Sequence, residues 1–129
     1  MFEIKGRNME LTRGNMAYFG VTSENDDKSL YEFQVDDVVT IKVYEKGKPE
    51  NVVLVKDFKV TETTTEVDII LHADETKIGE LIKKPKEYWY EIELNADTQN
   101  TITIVGYDKD EGPAILWLLP EGGDANDQA

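Results

Sequence analysis

Few side chains in this 129-residue chain have the types and spacing that chemistry uses. Asp108, Asp110 and Glu111, ahead of Gly112, set hard oxygen ligands two residues apart, as at the start of a calcium loop. The distant bidentate glutamate that completes such a loop is missing, and an acidic hairpin turn explains the same residues. Glu24, Asp26 and Asp27 receive the same reading. His72 is the single histidine, which excludes a His-x-x-x-His metal pair. It follows an apolar run, where a strand-end histidine with a backbone partner is expected rather than a catalytic base. Paired carboxylates for glycoside hydrolysis need only a workable separation, and 27 acidic residues always supply one, so their presence carries no information. Arg13-Gly14-Asn15 differs from an Arg-Gly-Asp adhesion triplet in its last residue, and a turn between strands accounts for all three. No catalytic residue, cofactor site or metal site is expected.

The tryptophans are more informative. In Tyr88 to Leu94, alternation sends Tyr88, Tyr90, Ile92 and Leu94 inward and leaves Trp89, Glu91 and Glu93 outward. An outward Trp89 is an interface anchor or a sugar-stacking platform, unless a neighbouring segment covers it. The run Ala114-Ile115-Leu116-Trp117-Leu118-Leu119 is apolar on both faces, so it is either central in a sheet or meets another chain. Pro113 and Pro120 bracket it as guards against strand addition. Trp89 and Trp117 are the expected interface anchors, with Ile115 and Leu118 supplying apolar area.

These residues need strands to position them. Period-two alternation is clearest in Val38 to Tyr44, where Val39, Ile41 and Val43 share one face and Thr40, Lys42 and Tyr44 the other. Further strands are expected at Phe2 to Ile4, Met9 to Leu11, Ala17 to Thr22, Leu30 to Phe33, Val52 to Val60, Glu66 to Leu71 and Thr101 to Tyr107. Gly, Asn and Asp residues separate them: Gly6-Arg7-Asn8, Arg13-Gly14-Asn15, Asn25-Asp26-Asp27, Lys46-Gly47-Lys48-Pro49 and Asp108 to Pro113. Many short strands at such spacing point to an all-β, antiparallel β-sandwich of the immunoglobulin-like or jelly-roll-like kind. One segment departs from this rhythm. Asp74 as N-cap, an acidic first turn, and Ile78, Leu81 and Ile82 at helical spacing predict one short helix over 74–82, crossing from one sheet to the other. Residues 1–120 read as one domain, and 121–129 as a disordered acidic tail too poor in apolar groups to offset its ordering entropy.

Composition narrows the partners. A formal charge of −13 disfavours nucleic acid and anionic membrane surfaces, whose binding depends on positive charge. The chain has no cysteine, hence no disulfide framework and no thiolate metal site. The N-terminus lacks the basic flank and apolar stretch of a secretory signal, and no apolar run approaches the roughly 20 residues of a membrane span. A soluble protein made and left in the cytoplasm is expected.

Phe2-Glu3-Ile4, then Leu11-Thr12-Arg13-Gly14-Asn15, then Asp36-Asp37 opening an alternating strand, resembles the upper-baseplate-protein N-terminal domain of phages and prophages of Firmicutes. Thr76 to Glu80, Lys84 to Asn95, Ile104 to Asp108 and Leu119-Pro120-Glu121-Gly122 are similar to the second half of short prophage proteins of that group from gut bacteria. The resemblance implies a non-enzymatic virion structural protein, a tail or baseplate adaptor made in the bacterial host cytoplasm. Its partners would be other virion proteins or itself. A carbohydrate-binding module contacting a bacterial surface glycan is the alternative, with Trp89 or exposed tyrosines as stacking platforms. The sequence departs from the family at Asn15, where aspartate is usual, and at Asp36, where glycine is usual. Both substitutes tolerate turn geometry, so the implied fold stands, while a cation held by a carboxylate at position 15 is not carried over.

Overall fold

A computed structural model describes residues 1–121. The expected tail therefore lies outside the described residues apart from Glu121. Nine strands follow one another: β1 (Phe2–Lys5), β2 (Asn8–Thr12), β3 (Ala17–Val21), β4 (Val38–Glu45), β5 (Lys48–Lys59), β6 (Val67–Leu71), β7 (Lys86–Leu94), β8 (Ile102–Val105) and β9 (Ala114–Leu119). The chain is all-β, with no helix among the described residues. Seven strands form a large sheet, six in the order β1-β2-β9-β7-β4-β5 with β8 paired to β7 off this path, and β3 and β6 form a separate two-stranded sheet. β7 is shared along its length: residues 86–90 pair with β9, and residues 92–94 pair with β8.

The large sheet is mixed, which corrects the purely antiparallel expectation. β2 and β9 run parallel, with Met9 opposite Leu116 and Leu11 opposite Leu118. Side-chain alternation is the same for either direction of pairing, so the residues alone carry no sign of it.

The short helix expected over 74–82 is absent. One turn starts there, with the Glu75 and Thr76 amides donating to the His72 carbonyl at 2.9 and 3.2 Å. A helix over 74–82 would use the Ile78 carbonyl internally, for the Ile82 amide, but Arg13 takes it. Its Nε donates to Ile78 O at 3.0 Å and its Nη2 to Gly79 O at 2.8 Å, while Gly79 adopts a left-handed φ of 63°. A charged donor at fixed geometry outbids a marginal helix of this length. The segment does cross from the small sheet to the large one, linking β6 to β7. Leu30 to Phe33 is likewise no strand, because only the isolated bridges Glu24–Leu30 and Phe33–Thr64 form around it.

Alternation decides the core. Val39, Ile41 and Val43 of β4 are fully buried, as are Leu116 and Leu118 of β9; Tyr88, Ile92 and Leu94 of β7 are at most 2% exposed. The small sheet adds Ala17, Val21, Val67, Ile69 and Leu71 to the same cluster, and Phe33 and Ile78 enter it from connecting segments. The Phe2 and Phe19 rings stack at 5.7 Å between the two sheets. Each such aliphatic or aromatic side chain contributes about 1.5–3 kcal/mol on burial. The face of the large sheet that meets this cluster is its inner face, and every other residue of the strands points to the outer face.

Candidate functional site

The outer face carries the apolar residues that the fold does not consume. Strand register sets Ile115 opposite Trp89, Trp89 opposite Tyr44, and Tyr44 opposite Val52, one row across β9, β7, β4 and β5. One step along, Trp117 lies between Glu10 and Glu87. Ile115, Trp117, Leu119, Trp89 and Tyr44 are half-buried, while Val52 and Val55 are 42% and 57% exposed. Val52 and Val55 reach the same face because the β4–β5 register shifts beside Tyr44, which inserts an extra residue into β5.

Trp89 satisfies both readings open to it from sequence: it projects outward, and a turn partly covers it. Its Nε1 donates to Glu87 Oε2 at 3.0 Å, and Lys46 Nζ lies 3.4 Å from the other Glu87 oxygen. The far edge of the indole sits against Gly47, whose φ of 71° shapes the two-residue β4–β5 turn. These contacts hold the indole plane. Trp117 lines a groove of about 400 Å³ with Glu45, Lys46, Lys48, Pro85, Lys86 and Glu87.

Leu118 does not belong to this surface. It is fully buried on the inner face, opposite Leu11 and Lys86, because its neighbours Trp117 and Leu119 take the outer positions. β9 also settles between β2 and β7, so its two-sided apolarity reflects a central strand, and Pro113 and Pro120 have no edge to guard.

Acidic side chains crowd the other end of the outer face. Burial raises the Glu93 carboxyl above its ordinary range, helped by the neighbouring Glu91 charge. Burial also raises the Tyr44 phenol, with Glu91 and Glu93 adding to the effect. Lys42 Nζ offsets part of this charge from 3.6 Å to Glu91.

The remaining sequence candidates make local contacts. The Asp108 Oδ1 accepts the amides of Asp110 and Glu111 at 2.7 and 3.0 Å, closing an acidic hairpin turn at the Asp108–Gly112 bridge. Asp27 caps Ser29 through its amide at 3.0 Å. No group of three metal-ligating side chains occurs among the described residues. The His72 amide donates to Glu75 Oε1 at 2.7 Å, and the same oxygen receives Lys56 Nζ at 2.8 Å. Arg13 is 9% exposed, tied to the 77–79 carbonyls and, through Nη1, to Glu121 Oε1 at 3.1 Å. Thr76, fully buried, accepts the Gly14 amide at 3.1 Å and donates to Asn15 O at 2.8 Å. Arg13-Gly14-Asn15 is therefore an internal latch. Asp36 has a φ of 79°, the conformation that a glycine at this position takes without strain.

Sequence reasoning missed Tyr44 and Val52 as members of the outer row, since only register places them beside Trp89. No protein-family model, no curated protein and no solved structure matches this chain. Among the described residues, no helix is long and apolar enough to cross a membrane.

Proposed function

We propose that this chain is a non-enzymatic structural module of a phage or prophage virion, a small β-sandwich adaptor of the tail or baseplate. Its outer sheet face docks on another virion protein. The observation that carries this reading is the row Ile115–Trp89–Tyr44–Val52, with Trp117 beside it, left partly open to solvent on a rigid sheet. Fixed aromatic side chains lose little entropy on docking, and a partner that covers them gains the apolar area they expose. The sequence resemblance to the upper-baseplate-protein N-terminal domain supports placing that partner in a virion. The two sheets sharing one core support the sandwich.

The test is particle incorporation. Particles are induced from the bacterium that carries the gene, purified on a gradient and analysed by mass spectrometry. The chain is expected in tailed particles, and Ile115→Arg is expected to be lost from them while remaining folded. Wild-type protein absent from intact particles would reject the virion role, and normal incorporation of the variant would reject the docking face.

A glycan-binding reading is favoured by one observation, the Trp117 groove, where an indole lies beside Glu45 and Glu87 as hydroxyl acceptors. Glycan-array signal lost on Trp117→Ala would establish it, and silence across bacterial surface glycans would remove it.

A further inference from the structure

Charge is not spread evenly over this acidic chain. At the end of the large sheet where the β4–β5 turn lies, two adjoining grooves share Pro85 and Lys86. Their lining carries Lys46, Lys48, Lys83, Lys84 and Lys86 against Glu45 and Glu87, a local charge of 5 − 2 = +3 in a chain of net −13. Five of the 14 basic residues therefore sit at one end. Only Lys46 among these five forms an ion pair among the described residues.

The opposite end, where β4 starts and β5 finishes, has the reverse sign. Two concave surfaces of about 520 and 530 Å³ meet at Asp57. They are lined by Asp36, Asp57, Glu62, Glu66, Asp68 and Asp97 against Lys42 and Lys59, a local charge of 2 − 6 = −4. β5 runs 12 residues between the two ends, about 35 Å at the rise of a strand. That separation exceeds the Debye length of roughly 8–10 Å at physiological salt, so each end acts on a neighbour independently of the other.

We infer that copies of this chain associate head to tail, the lysine-lined Trp117 end of one seated on the acidic end of the next. The inference rests on the structural-module reading and supplies a second partner for it, a copy of the same chain. A contact between two different patches is heterologous, and it propagates into a ring or an open row according to the rotation between copies. Face-to-face pairing of like ends is disfavoured, because it opposes charges of one sign. Trp117 and Pro85 supply the apolar centre of the basic end, and the lysines set its polarity. The row from Ile115 to Val52 is left to a different virion protein, and Trp117 stands at the border between the two contacts.

The experiment is sedimentation velocity over a concentration range at about 0.1 M and about 1 M salt, where the Debye length falls to about 3 Å. It uses the wild type, Lys83→Glu/Lys84→Glu, Glu62→Lys/Glu66→Lys, and Ile115→Arg. All four charge positions are exposed, and circular dichroism checks that each variant is folded. Wild type is expected to associate at the lower salt and dissociate at the higher, and each charge variant alone is expected to weaken association at least about tenfold. An equimolar mixture of the two charge variants is expected to recover association, since each retains the one end the other lacks. Ile115→Arg is expected to associate like wild type. A monomeric wild type, association indifferent to the charge variants, or a mixture that stays monomeric would each overturn the inference. Association lost only with Ile115→Arg would overturn it while upholding the outer face as a docking surface.

Discussion

β9, β7 and β4 each present two faces, and the two differ in what they are made of and what they do. On the inner face, Leu116, Leu118, Ile92, Val39 and Ile41 are sealed against the small sheet. On the outer face, the intervening residues Ile115, Trp117, Trp89 and Tyr44 are as apolar but only half covered. The fold needs the first set, and nothing in the described chain uses up the second. A sheet stabilised on one side alone can keep a second apolar row for a partner, provided that charges such as Glu87, Glu91 and Lys42 keep that row soluble in the meantime.

Breaking the comparison is easiest at adjacent residues. Leu118→Ala is expected to cost about 2–5 kcal/mol, because it opens a cavity in a sealed site, and Trp117→Ala about 1–2 kcal/mol, because a half-covered indole gives up only part of its packing. Urea denaturation of both variants measures the difference. Equal losses would mean that the two faces do not divide fold from docking.

The next effect falls at the latch that replaced the expected helix. Arg13→Ala is expected to destabilise by about 2–3 kcal/mol, since it strips a charged donor from the Ile78 and Gly79 carbonyls in a nearly buried site. Arg13→Lys is expected to recover little of it, because an ammonium cannot span both carbonyls and Glu121 at once. Thermal unfolding of the two variants gives the ordering, and full rescue by lysine would contradict the forked geometry.

The smallest effect is that of pH. Lys56 holds the Glu75 carboxyl below its ordinary range, with the His72 amide assisting. Burial works against ionisation of Asp37, but the Gln34 amide, the Asn95 amide group and the Tyr31 hydroxyl outweigh it and lower its pKa. For both groups the unfolded chain binds protons more readily than the folded one. Their contribution is therefore complete above the ordinary carboxylate values near 4 and is lost as pH falls through the lower folded values. Glu93, raised by burial, works in the opposite sense and eases its own strain with Glu91 as pH falls. Stability is expected to hold from neutrality to about pH 5 and to decline below about pH 4, followed by urea midpoints at each pH. Glu75→Gln is expected to flatten the acid side of that profile, and an unchanged profile would remove Lys56–Glu75 from the explanation.

Much of this architecture is legible in the residues, and the gaps have physical causes. Alternation alone orients Trp89 outward and Tyr88, Tyr90, Ile92 and Leu94 inward, as the burial of β7 shows. The same rule applied to β9 places Leu118 with Leu116, on the opposite face from Trp117, so its assignment to the interface broke the period that the sequence displays. The helix over 74–82 failed for a different reason. Local propensity was sound, but the arginine that claims its carbonyls is about 65 residues away in sequence, beyond any local rule. The parallel β2–β9 pair and the β5 bulge depend on which strands meet, and the segregation of lysines to one end depends on that too. None of these has a local signature.

The most direct measurement of the division between faces is a paired reading on Ile115→Arg: its urea midpoint, and its content in purified tailed particles relative to wild type. The expected result is a midpoint shift equivalent to no more than about 1 kcal/mol of unfolding free energy, together with loss from the particles. A variant that assembles into particles as well as wild type would contradict the outer face as the surface on which this protein is held.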